Sequence, residues 1–128
     1  MTGHRPGPIP VFQIDETSLE GGTRIVEVSG ELDLATAPTL GQRIRRPLFW
    51  EGTERVIVDL SGVAFIDSSG ASALLLSVSH ARALGLTLVF VCGEGDVMRR
   101  LRTYGLDSML SVFPTRQMAL DALNWKRP

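Results

Sequence analysis

The apolar positions of this chain switch between two spacings, and each switch marks an element. Residues 10–15 (PVFQID) and 23–29 (TRIVEVS) have strand-like patterns and are separated by ETSLEGG. The Gly21-Gly22 pair tolerates the positive φ of a tight reversal, so the two segments are expected to form a hairpin. Ala37, Leu40, Gly41 and Ile44 then recur at i, i+3, i+4 and i+7, one face of a helix near 36–46. Thr36 is placed to cap it, Pro38 falls in the first turn where its missing N–H costs little, and Pro47 marks the far end. ERVIVDL at 54–60 and LTLVFVC at 86–92 are almost continuously apolar, as in strands covered on both faces, the first ending near Asp59 before a turn. Between them Ala71, Leu74, Leu75, Val78 and Ala81 form a helical stripe over 69–84, and Gly85 stands where a helix end favours glycine. A shorter helix, DVMRRLRTYG, turns Val97 and Leu101 inward and has Asp96 as its candidate cap. MLSVF reads as a short strand. PTRQMALDALNW reads as a closing helix capped by Thr115, with Met118, Ala119 and Ala122 on one face.

The order is a hairpin followed by α, β, α, β, α, β, α. It predicts an α/β fold: one domain with a mixed, mostly parallel sheet of about five strands, four helices and right-handed crossovers. The first strand is expected at an antiparallel edge. The domain is placed at 10–125, after a loose tail at 1–9 that has no apolar pattern. The terminal WKRP reads as a frayed end.

Composition changes this picture mainly by exclusion. The 128 residues suit one domain, and 44% apolar with 21% charged residues is ordinary for a globular protein. A net charge of −1 supplies no field for a polyanion, so direct nucleic-acid binding is not expected. Cys92 is the single cysteine, which rules out an internal disulfide and suits a cytoplasmic setting. The first ten residues lack the apolar run of a signal peptide. No segment approaches the ~20 apolar residues of a membrane span, so no membrane insertion is expected. The basic runs RIRRP and MRRLR read as solvated helix faces.

Candidate chemistry narrows to FIDSSG at 65–70. A serine nucleophile needs a base. His4 lies in the tail, and His80 lies about three turns after Ser69 on the face opposite the apolar stripe. FIDSSGAS also lacks the G-x-S-x-G elbow, so no enzymatic activity is expected. No metal-ligand spacing occurs. CGEGDV lacks the third glycine of a dinucleotide loop, and Glu94 and Asp96 would repel a phosphate, so no cofactor is expected. Cys92 closes an apolar strand and reads as a buried small residue. Asp67 or Ser68 can cap the following helix. Three cap-type residues in a row exceed that need, and a helix N-terminus tolerates a phosphate. The residues themselves lead to an exposed, modifiable serine.

SGELDLATAPTL at 29–40, VIVDLSGVAFIDSSGASAL at 56–74 and LVFVCGEGDVMRRLRTYGLDSML at 88–110 together resemble the STAS domain of bacterial anti-sigma factor antagonists. The resemblance covers about residues 10–123. It implies partner switching by a noncatalytic regulator of transcription. The unphosphorylated antagonist binds an anti-sigma factor that is a serine kinase, and a sigma factor is released. The kinase brings the ATP and Mg²⁺ and phosphorylates the first serine after the aspartate, here Ser68. Asp33 maps onto the acidic position near that serine. Asp67, Ser69, Gly70 and Ala71 map onto the docking turn and the helix surface beside it. Ala71 and Ser72 stand where the family usually has leucine and glycine, which bears on which kinase is recognised. The alternative is a non-phosphorylated STAS scaffold within a stress-signalling or lipid-transport complex, and the presence of Ser68 favours the switch. Phe49 and Trp50 are expected to close the bottom of the core, with a second contact surface as the other reading.

Overall fold

The computed structural model describes residues 10–124. The expected tail at 1–9 and the WKRP end lie outside them. Nine elements follow in order: β1 (Gln13–Leu19), β2 (Thr23–Leu32), α1 (Ala37–Leu48), β3 (Arg55–Ile66), α2 (Ser68–Ala83), β4 (Thr87–Val91), α3 (Asp96–Thr103), β5 (Val112–Phe113) and α4 (Arg116–Asn124). The sheet order is β1-β2-β3-β4-β5, with β1 antiparallel to β2 and all other pairs parallel. The fold is the expected α/β arrangement.

Two strands outrun their sequence signals. β1 continues through Leu19, and the reversal occupies only 20–22, with Gly21 at φ 81° and Gly22 at φ 84°. Thr17 and Ser18 look like loop residues because both lie exposed on an edge strand. β3 does not stop at Asp59 but runs on to Ile66. Ser61-Gly62, expected as a turn, is a β-bulge: Glu27 pairs with Asp59, yet Ser29 pairs with Gly62. A glycine suits both uses, because a Cβ at Gly62 would stand 3.0 Å from the Ser29 side chain.

Alternate residues of β3 and β4 enter two cores. Val56, Val58, Leu88 and Phe90 pack under α1, α2 and α3, against Leu40, Ile44, Leu74 and Leu101. Ile57, Val89 and Val91 pack on the other face with Ile25, Ala119 and Leu123. α4 therefore covers the second face, using Ala119 and Leu123. Met118, expected inward, is 49% exposed and Ala122 is only half-buried, since four residues separate the true contacts. In α3, Val97 and Leu101 are buried as expected.

The caps also differ in part. Thr115 does accept the Met118 N–H at 3.1 Å. Thr36 makes no cap bond to α1, and Asp96 is the first helical residue after Gly95, its carboxylate paired with Arg99. The two basic runs are partly engaged within the domain: Arg43 reaches Glu16 and the Ile14 carbonyl, and Arg102 reaches Glu94. Phe49 and Trp50 do not close the core. Phe49 is 68% and Trp50 36% exposed, because α1 ends at Leu48 and the chain turns outward. Among the described residues, no helix is long and apolar enough to cross a membrane.

A charged clamp fixes α4 to the sheet. Arg116 donates to Asp59 Oδ2 from Nε at 3.0 Å and from a terminal nitrogen at 2.8 Å, and it also pairs with Glu27 at 3.0 Å. Burial pushes the Asp59 carboxyl up, but the Ser61 hydrogen bonds and the Arg116 guanidinium outweigh it and hold the group below its ordinary value. A depressed folded value stabilises the protein above the unfolded carboxylate pKa of ~3.9, and that contribution is lost progressively as pH falls from there through the lowered folded value. Arg116→Met should lower unfolding free energy by about 1–2 kcal/mol near neutral pH, a buried-pair loss discounted because Arg116 is partly exposed. The deficit should shrink towards about pH 4, where the unpaired Asp59 takes a proton. Urea titrations of both proteins at the two pH values check this. An unchanged deficit would contradict the clamp.

Cys92 is buried at 6% exposure. Burial pushes its thiol pKa up, and the Glu94 and Asp59 charges add to this. The thiolate is the reactive form, so Cys92 should react with a disulfide reagent far more slowly in the native protein than in urea. Equal rates in the two states would show an exposed thiol.

Candidate functional site

Leu32 pairs with Ile66 at the end of the β2–β3 ladder, so the turns that leave these strands start side by side. The Asp67 N–H donates to the Leu32 carbonyl at 2.9 Å and ties them together. Asp67 is extended, with φ −106° and ψ −174°, and its Oδ1 accepts from Ser69 N at 2.8 Å and Gly70 N at 3.0 Å. Asp67, not Ser68, is thus the cap of α2. Ser68 is the first helical residue and is exposed, and its hydroxyl makes no hydrogen bond within the described residues. Ser69 is half-buried.

Gly70 and Ala71 play a different part from the surface role expected of them. Gly70 is buried against β2: a Cβ there would lie 2.5 Å from the Leu32 oxygen. Ala71 is 3% exposed and belongs to the core, so it supports the turn from below. Its side chain points into the sheet-facing side of α2, four positions past the cap, and not to the surface. Ser72, one position on, is exposed.

The neighbouring turn is built by Asp33. Its Oδ1 accepts from Ala35 N at 3.0 Å and Thr36 N at 3.1 Å, and its carbonyl accepts from Ala37 N at 2.8 Å. Thr36 Oγ1 accepts from Asp33 N at 2.9 Å and donates to the Glu31 carbonyl at 2.8 Å. Asp33 therefore holds the turn that leads into α1, while the first turn of α1 has no side-chain cap from Thr36. The same turn pushes Leu34 out to 76% exposure, a surface feature that its place in an ELDL run does not announce.

A groove of about 540 Å³ runs close by, between Ala64 and Phe65 of β3 and Arg99, Arg100 and Thr103 of α3 with Tyr104 just after it. The Arg100 guanidinium lies 4.6 Å from the centre of the Phe65 ring. This feature was invisible in the sequence, because it depends on β3 continuing past Asp59. His80, by contrast, follows Ser68 by twelve helical residues, ~18 Å at 1.5 Å per residue. No cluster of three or more His, Cys, Asp or Glu that could hold a metal occurs among the described residues. The turn offers an accessible hydroxyl at a helix N-terminus, two carboxylates engaged in capping, and flanking surface.

The sequence profile of the STAS domain matches residues 16–119. The chain belongs to the STAS domain family. Anti-sigma-F factor antagonist RsfB of Mycobacterium tuberculosis is 30% identical over 108 residues, 83% of this STAS domain chain and 85% of RsfB. An anti-sigma factor antagonist from Mycobacterium paratuberculosis has a solved structure that matches with a TM-score of 0.76 at 27% identity, covering 88% of this chain and 94% of that one. The anti-sigma factor antagonist SpoIIAA in its unphosphorylated form matches with a TM-score of 0.72, covering 91% of this chain and all (100%) of its own, at 18% identity. At that identity the likeness speaks for the fold.

Proposed function

We propose that this STAS domain is an anti-sigma factor antagonist controlled by phosphorylation of Ser68. The unphosphorylated domain binds an anti-sigma factor through the 67–70 turn and the adjoining Asp33 turn, and a sigma factor is released. The anti-sigma factor acts as the kinase. The Ser68 oxygen forms the bond to the γ-phosphorus of ATP, the bond from that phosphorus to the ADP oxygen breaks, and the serine proton passes to a base of the kinase. ATP and Mg²⁺ belong to the kinase, and this domain contributes the acceptor: the neighbouring Asp67 carboxylate is engaged with the Ser69 and Gly70 N–H groups, and His80 lies twelve helical residues away.

The observation that carries this reading is the division of labour at the turn. Asp67 satisfies the first-turn N–H groups, which leaves the Ser68 hydroxyl exposed and unbonded. Ser68 can therefore be modified without dismantling the helix start. Similarity to RsfB, an anti-sigma-F factor antagonist, supports the class of partner.

Isothermal titration of the domain against an anti-sigma factor kinase from the same genome tests the reading. Binding is expected, together with displacement of the sigma factor from a preformed complex. Binding that leaves the sigma factor in place would favour a scaffold role instead.

A further inference from the structure

The groove between β3 and α3 carries one positive charge that the domain leaves unpaired. Asp96 and Arg99 both line it and pair with each other. Arg100 lines it too, yet among the described residues its side chain makes no hydrogen bond and no ion pair. Its guanidinium rests instead on the Phe65 ring, 4.6 Å from the centre. Tyr104 lines the same groove, and its hydroxyl has no hydrogen-bond partner among the described residues.

Such an arrangement suits an anion. Stacking on an aromatic face holds the guanidinium but uses none of its N–H donors. A planar fork held in this way matches a carboxylate with two parallel N–H···O bonds. Ala64 and Phe65 give the groove an apolar wall against which the carbon stem of an acidic side chain can lie.

Two constraints put the groove within the surface that a partner at Ser68 covers. Phe65 precedes Ser68 by three peptide bonds, all trans, so their Cα atoms stand no more than about 11 Å apart. α2, which begins at Ser68, and α3, which carries Arg100, cover the same face of the sheet through Leu74 and Leu101. A standard interface of about 800 Å² per partner is roughly 30 Å across and spans that distance.

We propose, on the reading of the domain as an anti-sigma factor antagonist, that the groove receives an aspartate or glutamate side chain of the anti-sigma factor and that Arg100 pairs with it. The partner then presents an acidic patch beside the surface that meets Ser68. Phosphate on Ser68 brings negative charge towards that same patch, which adds to the force of the switch.

Isothermal titration of the full chain against the anti-sigma factor kinases of its genome, at low and high salt, tests this. Parent affinity should fall as salt rises. Arg100→Glu should weaken binding at least tenfold and flatten the salt dependence, with a melting temperature near the parent's because Arg100 is exposed. Arg100→Lys should recover only part of the loss, since lysine keeps the charge without the planar fork. Arg82→Glu makes the same charge change in the last turn of α2, fourteen residues and ~21 Å of helix beyond Ser68, and should bind like the parent. Parent-like binding by Arg100→Glu, with phosphorylation of Ser68 still abolishing the complex, overturns the groove contact and spares the antagonist reading. Equal losses in Arg100→Glu and Arg82→Glu overturn it as well, because they show a general charge effect. If Arg100→Glu binds like the parent and removes a rise in melting temperature on Ser68 phosphorylation, the guanidinium serves the phosphate of its own chain, which also overturns the contact. A parent that binds none of those kinases overturns both the contact and the antagonist reading.

Discussion

Phosphate on Ser68 is expected to weaken the complex with the anti-sigma factor by about 30-fold to several-thousand-fold and to leave the domain folded. The two effects differ because the phosphate meets different surroundings in each case. At the interface it adds about −1.5 to −2 charges beside Asp67 and near Asp33, on the surface that a partner must cover. Burying an unpaired charge or losing a well-placed contact there costs roughly 2–5 kcal/mol. Within the domain the same group sits at the first position of α2, where the helix dipole favours an anion by roughly 0.3–1 kcal/mol. Asp67 already holds the Ser69 and Gly70 N–H groups, so no existing bond need break. Ser68→Glu should therefore bind weakly and melt near the parent temperature. Ser68→Ala should bind the kinase and resist modification, and Ser69→Ala should still accept phosphate. Mass-spectrometric site mapping after incubation with the kinase and ATP decides the assignment: phosphate on Ser69 or Ser72, with Ser68 untouched, would sink it.

Gly70→Ala should lower unfolding free energy by about 1–3 kcal/mol, the range for forcing an extra methyl into a packed site. Intrinsic propensity points the other way, since alanine is preferred to glycine in a helix interior by roughly 1 kcal/mol. Geometry wins here. The new Cβ would stand 2.5 Å from the Leu32 oxygen and 2.8 Å from the Leu32 Cβ, and the first of these is backbone. To relieve that contact, α2 must move off β2 and stretch the 2.9 Å bond from Asp67 N to the Leu32 carbonyl. That bond keeps the two turns together, so partner binding should fall as well. Gly41→Ala is the matched control. Gly41 lies inside α1 with nothing within 4 Å of its added Cβ, so propensity acts alone and stability should rise by up to ~1 kcal/mol. Chemical denaturation of the pair reads both signs. A Gly70→Ala protein as stable as the parent would show that the β2–α2 approach is not tight.

The order of elements was legible along the chain because each core element carries its own period. Val56 to Val58 and Leu88 to Val91 are apolar on both faces, and Leu74 and Ala81 follow the helical spacing, so burial of these residues needed no tertiary information. Glycines at 21, 22, 85 and 105 marked reversals and helix ends, and all four adopt positive φ. The DSSG stretch was also legible as cap-type residues at a strand-to-helix turn. Which of them caps was not, because Asp67, Ser68 and Ser69 have the same local chemistry. The bond from Asp67 N to the Leu32 carbonyl, 35 positions earlier, helps set the frame in which Asp67 is the cap. Long-range pairing likewise decided that β3 continues past Asp59, since Ser61-Gly62 spells a turn until β2 lies alongside to make it a bulge. The polar residues of β1 belong to a strand because β2 supplies the ladder. Phe49 and Trp50 are apolar by composition, yet they stand outside because α1 ends before them. Local spacing thus determined which segments are strands and helices, while contacts between segments far apart in the chain decided where they end and which side chains reach the surface. Those choices depend on hydrogen bonds and steric approaches that exist only once the sheet is assembled.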